Sequence, residues 1–337
     1  MNKEFITSEF AEYNPGLMVP KIHASRFDDK GGNRFYFFND GTETRSAIGI
    51  TTLLSRVMPE SIWLLEWKLK YGKDWQEVLN LTADYGTMMH ACIAHMLINK
   101  EMPPIEMIDE AKRFIHKLQR FDKSVPSNMI EKNLISFRKF QQDYNIEPML
   151  IEALLVYQTQ EGEYYCMTQD LLCKVSYTKT WKELQEVGVY VKGDKKGQPK
   201  YENVEVSEEV SEIWCVDFKS NPFNKSDKGF FDSHMYQLVA TKKAVTQNFD
   251  IVPDKLLNWS PLPWKSKEKL GAYALKEWNV QPKDEEVLEL YEKLAHRLNF
   301  FRPSGQVEEI NLEADTIDNM YTNYSYIEYV RSLEDNG

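Results

Sequence analysis

Three patterns of apolar and polar residues recur along this chain, and each predicts an element type. Short apolar or alternating runs read as strands. These are Arg34–Phe38, joined as a hairpin to Thr42–Ile50 through the turn residues Asn39, Asp40 and Gly41, and then Met149–Tyr157, Tyr164–Val175, Ile213–Ser220 and Lys255–Trp259. Stripes recurring every three to four residues read as helices. The first are Thr51–Leu65 and Trp67–Tyr71, with Pro59 breaking the run, and a helix opened by Gly86 with Met89, Cys92, Ile93, Met96 and Leu97 on its buried stripe. Ile105–Arg120, Asn128–Tyr144, Asp232–Val245, Gly271–Trp278 and Glu285–Phe301 follow. Residues 1–30 show no period and read as an irregular arm, and Tyr321, Tyr324, Tyr326 and Tyr329 read as a tail packed on the body. Trp63, Trp67 and Trp75 read as core rather than as base-stacking rings. This mixture predicts an α/β fold, a central mixed sheet of about four or five strands flanked by helices.

The informative positions are those where an element breaks its own pattern. Ile213–Ser220 is apolar except for Asp217 and Lys219. Side chains alternate along a strand, so these two share a face, with Cα atoms roughly 6.6 Å apart. Trp214, Val216 and Phe218 then pack on the other side. A carboxylate and an ammonium there are costly unless they pair or bind something. Glu152 shares its strand face with Leu154 and Val156, although the strand is apolar on both sides. Asp170 lies mid-strand, where aspartate is disfavoured. His90 borders its helical stripe, and His95 lies roughly 140° further round, so the two do not form a ligand pair. The plain alternative for each is structural: a satisfied histidine, a paired carboxylate, an ion pair at a strand end.

Composition narrows the chemistry. The chain has 337 residues, 42% of them apolar, which is enough for a substantial core. Its net charge of −11 repels phosphates, so any nucleic-acid site must be a local basic patch or be neutralised by metal. Cys92, Cys166, Cys173 and Cys215 form no C-x-x-C pair and lie in apolar stretches, which suits reduced thiols and a cytosolic setting. They also predict no iron–sulfur cluster, since Cys166 and Cys173 face opposite ways on a continuous strand. No apolar window approaches a membrane span. Ser176–Ser211 is less regular. Lys179, Lys182, Lys192, Lys195, Lys196 and Lys200 make its first part basic, and Glu202, Glu205, Glu208 and Glu209 make its second part acidic. It reads as an inserted hairpin or flap whose lysines contact nucleic acid, or as a solvated loop.

In order, the chain offers Gly86-x-x-x-His90 on a helix, Glu152 on a strand, Asp170 on the next, Asp217-x-Lys219 on a third, and Gln237 on a helix. This order resembles the PD-(D/E)XK nuclease superfamily in its RecB-like exonuclease branch, over about Ile48 to Ala244. The resemblance implies a restriction-endonuclease-like core and hydrolysis of DNA phosphodiesters with Mg²⁺ or Mn²⁺. It also implies roles. His90, Asp170 and Asp217 hold the metal, Lys219 orients or activates the attacking water, Glu152 is auxiliary to the metal, and Gln237 bonds the site or the DNA backbone. The sequence departs from the family pattern at Met167, where a glycine is usual, and at Thr241, where a tyrosine is frequent.

The expected divisions are an arm and hairpin over 1–47, the nuclease core over 48–260 with its insertion at 176–211, and a helical extension over 261–337. The expected activity is a metal-dependent deoxyribonuclease, an exonuclease first, in recombination, repair or phage DNA processing. Its setting is the cytoplasm of a bacterium or phage-infected cell, with DNA and a recombination or replication protein as partners and no membrane. The alternative is an inactive nuclease-fold protein that binds DNA or a partner protein.

Overall fold

A computed structural model describes residues 17–18, 20–22, 24–28, 34–39, 41, 44–220, 230–262 and 270–301. Most of the expected N-terminal arm, residues 221–229 with Lys225 and Lys228, and the tyrosine-rich tail lie outside the described residues. The architecture is α/β, with a mixed sheet of eight strands. The strands are β1 (Ala24–Asp28), β2 (Arg34–Asn39), β3 (Thr44–Gly49), β4 (Glu147–Gln158), β5 (Tyr164–Val189), β6 (Pro199–Phe218), β7 (Lys255–Pro261) and β8 (Tyr273–Glu277). The helices are α1 (Ile50–Val57), α2 (Ile62–Tyr71), α3 (Trp75–Asn99), α4 (Ile105–Leu118), α5 (Met129–Tyr144), α6 (Asp232–Phe249) and α7 (Pro282–Arg297). The sheet is wider than four or five strands because the β1–β2–β3 hairpins join one side and β8 the other. Residues 273–277 were expected to be helical. They instead pair antiparallel with β7, from Leu257↔Glu277 to Pro261↔Tyr273.

Helices cover both faces. Buried residues of α3, α4 and α5 pack with Ile151, Leu171, Trp214, Val216, Phe218 and Trp259 on one side. Those of α1, α6 and α7 pack with Tyr165, Leu172, Cys215 and Leu256 on the other. Each helical stripe is thus matched to a run of inward-facing strand residues. Among the described residues no helix is long and apolar enough to cross a membrane.

Two sequence expectations change here. Gly86 does not open its helix, because the stripe starts earlier with Val78, Leu81 and Tyr85 and α3 runs from Trp75. Gly86 sits mid-helix, where a Cβ would lie 2.7 Å from Ser220 Oγ. The glycine lets the end of β6 approach α3. Trp63 is not core either: it is 62% exposed on α2, a helix with no buried residue.

Candidate functional site

The site forms where β5 changes neighbours. Along one edge β5 pairs with β4, from Tyr164 to Lys174. Along the other edge it pairs with β3 only at Tyr165 and Cys166, and with β6 only from Leu171 onward. Residues 167–170 therefore face an opening between the end of β3 and the start of the β5–β6 ladder. In open α/β sheets such a parting of neighbouring strands makes a crevice for ligands.

Both strands beside the opening also switch sides. In β4, Leu150 packs in the same cluster as Ala153, Leu155 and Tyr157, so strict alternation fails near Glu152. In β5, Tyr165 and Met167 share that cluster with Leu172, so alternation fails between Met167 and Leu172. Glu152 has φ 47°, a left-handed conformation that a non-glycine residue rarely adopts within a strand. Ile151↔Leu171 and Ala153↔Gln169 are partners, which sets Glu152 opposite Asp170. Side chains replace the missing ladder. Gln169 Nε2 donates to Leu171 O at 2.6 Å and Val216 O at 3.1 Å, and the Phe218 N–H donates to Asp170 Oδ2 at 2.6 Å.

On the far side of the opening, Asp217 lies beside Asn258 of β7 in parallel register. Lys219 Nζ lies 2.9 and 2.7 Å from the two Asp217 oxygens, and it donates to Gln237 Oε1 at 3.3 Å. Trp214, Val216 and Phe218 pack away from these polar side chains, as alternation requires. Asn258 Nδ2 donates to Asp217 Oδ2, and Asn258 Oδ1 accepts from Trp278 Nε1 at 2.7 Å. Asn258 is fully buried. A polar row thus crosses four adjacent strands: Glu152, Asp170, Asp217, Asn258.

His90 closes the row from α3. Its Nδ1 lies 3.0 Å from Glu152 Oε1 and 3.7 Å from Asp170 Oδ1, and its ring meets Phe218 edge-on at 5.7 Å. Burial opposes its protonation, but Asp170, Glu152 and Asp217 overcome that and lift its pKa to about 9. Burial raises Asp170 to about 8, with Glu152 and Asp217 adding and His90 and Lys219 opposing. With no metal, three carboxylates converge on less positive charge than they need, and protons make up part of the deficit.

Ligand atoms of His90, Glu152 and Asp170 all lie within 4.8 Å of one another, and this is the one group of potential metal ligands among the described residues. Two carboxylates and an imidazole suit a hard or borderline dication such as Mg²⁺ or Mn²⁺. The membership differs from the expected set: Glu152 stands inside the cluster, while Asp217 is turned to Lys219 and Asn258.

Sequence reasoning singled out His90, Glu152, Asp170, Asp217, Lys219 and Gln237, and the fold brings all six together. It passed over Gln169, Asn258 and His234. A buried amide in the apolar stretch Leu256-Leu257-Asn258-Trp259 was a readable signal, of the kind that marked Asp217. His234 carried no such signal. It lies in the first turn of α6 and accepts the Phe231 N–H on Nδ1 at 3.2 Å, so its proton resides on Nε2. Burial, and then the charge of Lys219, hold its pKa down to about 3. All four cysteines are buried and burial raises each thiol pKa; Cys215 lies beside the row and donates to Gln169 Oε1 at 3.3 Å.

No family model matches this chain, and no curated protein matches it either.

Proposed function

We propose that this chain is a metal-dependent deoxyribonuclease. In this reading β4–β7 with α3 and α6 form a restriction-endonuclease-like core, as the sequence resemblance implies. The observation that carries it is the polar row Glu152–Asp170–Asp217–Asn258, flanked by His90 and Lys219, at a break in an otherwise apolar sheet. A fold that needed only stability would not gather these charges, because partly buried ion pairs contribute little over apolar packing.

His90, Glu152 and Asp170 are the residues that would hold a Mg²⁺ or Mn²⁺ ion. Bound there, the ion would neutralise the carboxylates and stabilise charge on a phosphoryl oxygen. The protein's own groups position the substrate. Lys219 has three N–H donors and directs two of them at Asp217 and Gln237. Nζ also lies 2.7 Å from the second Asp217 oxygen, so a phosphate oxygen or the attacking water would take the place of one of these acceptors. Asp217, fixed by Asn258, keeps the ammonium in place. His234, neutral beside Lys219, adds an N–H donor without adding charge. For a protein of net charge −11, a phosphodiester is admitted by this local balance and not by the surface at large.

The test uses end-labelled linear duplex, circular duplex and single-stranded DNA with Mg²⁺, Mn²⁺ or chelator. Cleavage that needs the ion supports the reading, and cleavage confined to linear substrates adds exonuclease action. DNA binding without cleavage under every condition would instead favour the inactive nuclease-fold alternative.

A further inference from the structure

The strands that bear Asp170 and Asp217 continue far beyond the sheet. From Val175↔Glu212 to Val189↔Pro199 they pair only with each other among the described residues, β4 reaching no further than Lys174 and β7 starting at Trp214. At about 3.3 Å per residue this is a ribbon roughly 45 Å long. Its tip is closed by hydrogen bonds from Tyr190 N to Gln198 O at 3.0 Å and from Gly197 N to Tyr190 O at 2.8 Å.

The ribbon is amphipathic. The register places Tyr177, Trp181, Val204, Val206 and Val210 on one face, through the pairs Tyr177↔Val210, Trp181↔Val206 and Glu183↔Val204, with the pairs Lys179↔Glu208 and Gln185↔Glu202 set among them. The opposite face carries Ser176, Thr178, Thr180 and Lys182 with Ser211, Glu209, Ser207 and Glu205, and nearer the tip Leu184 and Tyr201. An isolated two-stranded ribbon is marginal in water and gains stability when an apolar face is covered. Trp181 is 37% exposed and Val191 at the tip 73% exposed.

Charge is segregated along its length. Residues 190–200 hold four lysines, Lys192, Lys195, Lys196 and Lys200, against Asp194 alone. The returning strand over 201–212 holds Glu202, Glu205, Glu208, Glu209 and Glu212 and no basic residue. The tip is basic and the shaft acidic. Two such ribbons stacked face to face and antiparallel would set each basic tip on the other's acidic shaft, which is the self-complementarity of a twofold interface. Duplex DNA fits less well. The tip lies about twenty residues along β5 from Asp170, roughly 65 Å, and DNA spanning that distance would run beside the acidic strand.

We propose that the β5–β6 ribbon is a dimerisation arm whose occupant is a second copy of this chain, apolar face on apolar face and tip on shaft.

Charge reversal of the full-length protein tests this by sedimentation equilibrium, with thermal unfolding to confirm that each variant folds. The tip variant Lys192→Glu/Lys195→Glu/Lys196→Glu and the shaft variant Glu183→Lys/Glu202→Lys/Glu208→Lys, whose glutamates share the face of Trp181, should each weaken self-association at least tenfold. Mixed one to one, the two should form a heterodimer, because each then offers the charge that the other lacks. The variant carrying both reversals should dimerise again. Trp181→Glu should weaken every one of these pairs. A wild type that is monomeric throughout the micromolar range would overturn the proposal, as would single variants that neither dissociate nor recombine. If the tip variant instead loses affinity for a duplex oligonucleotide, is not rescued by the shaft reversal and keeps its oligomeric state, the tip serves nucleic acid and the dimer arm is rejected.

Discussion

β5 and β6 each have two halves, and the halves obey opposite rules. In the outer half the ladder is regular, with one register shift at Glu186/Gly188, and its glutamates stand in water. In the inner half the ladder stops at Leu171↔Val216, alternation slips, and Asp170 and Asp217 are buried. One hairpin thus contains acidic residues that cost the fold almost nothing and acidic residues that it must offset with His90, Lys219, Asn258 and backbone N–H groups. The difference separates a solvated face from a site better than composition does: charge is informative where keeping it is expensive.

Equal truncations in the two halves break the comparison most sharply. Asp170→Ala or Asp217→Ala should abolish divalent-cation-dependent cleavage while both proteins still fold, Asp217→Ala with a lowered melting temperature because it leaves Lys219 and the buried Asn258 amide without their acceptor. Glu208→Ala on the ribbon should leave cleavage intact and change stability by no more than about 0.5 kcal/mol. Undiminished cleavage by either aspartate variant would remove the site from the row described here.

Lys219 comes next in expected effect. Lys219→Ala should slow single-turnover cleavage on the order of 10²–10⁴-fold while metal and DNA still bind. Lys219→Arg should rescue poorly, since a guanidinium differs in shape and stays protonated. If Lys219 serves only as a partner for Asp217, Arg will restore cleavage, and the main defect of the Ala variant will appear in its thermal unfolding.

Asn258 is a positioning residue, two bonds removed from the reacting atoms. Asn258→Ala deprives Asp217 of one donor and leaves the Trp278 indole N–H without its acceptor. We expect a loss of about 10–100-fold in cleavage, the range for supporting partners of a site. Asn258→Asp keeps an acceptor for Trp278 but sets a carboxylate against Asp217. It should therefore be no better for cleavage and should bind Mn²⁺ with altered affinity. Equal stability losses in both variants with normal cleavage would reduce Asn258 to packing.

Much of this was legible in the sequence, for identifiable reasons. Period and turn chemistry placed most helices and the inner strands, and polar residues inside apolar strands pointed to Glu152, Asp170 and Asp217. Three things were not legible. The start of α3 was missed because Gly86 looked like a boundary, whereas its smallness serves a contact with Ser220, 134 positions later in the chain. The inserted hairpin was expected, but not that it continues β5 and β6 without a break, because polar residues on both faces hide a strand whose partner is its neighbour. The face of Ile151, which packs apart from Ala153 and Leu155, was misjudged because strict alternation presumes extended backbone, and the φ of 47° at the neighbouring Glu152 violates that. Local pattern reports on segments. These three features depend on what approaches a segment from elsewhere.

The smallest expected effect is a linkage between protons and metal. His90 ordinarily titrates near 6.5 and is lifted to about 9 in the fold, so its stabilising protonation is complete below about 6.5 and is lost as pH rises through 9. Asp170 ordinarily titrates near 3.8 and is lifted to about 8, so the folded state again holds a proton that the unfolded chain has released, and stability falls as that proton leaves. Both signs agree: the metal-free protein should lose stability from about pH 4 to 9, through Asp170 up to about 8 and through His90 from about 6.5 to 9, and most steeply where the two overlap. A dication bound by His90, Glu152 and Asp170 competes with those protons, so the stabilisation it confers should grow over the same window. Melting temperatures with Mn²⁺ and with chelator, taken across this range, should therefore diverge as pH rises. The gap should be a few degrees, since about 1 kcal/mol moves Tm by roughly 2–4 °C in larger domains. Asp170→Asn should flatten both the pH slope and the divergence. A gap that stays constant or narrows toward pH 9 in the wild type would show that the cation binds elsewhere and that the inner half of the hairpin is an ion-pair cluster like any other.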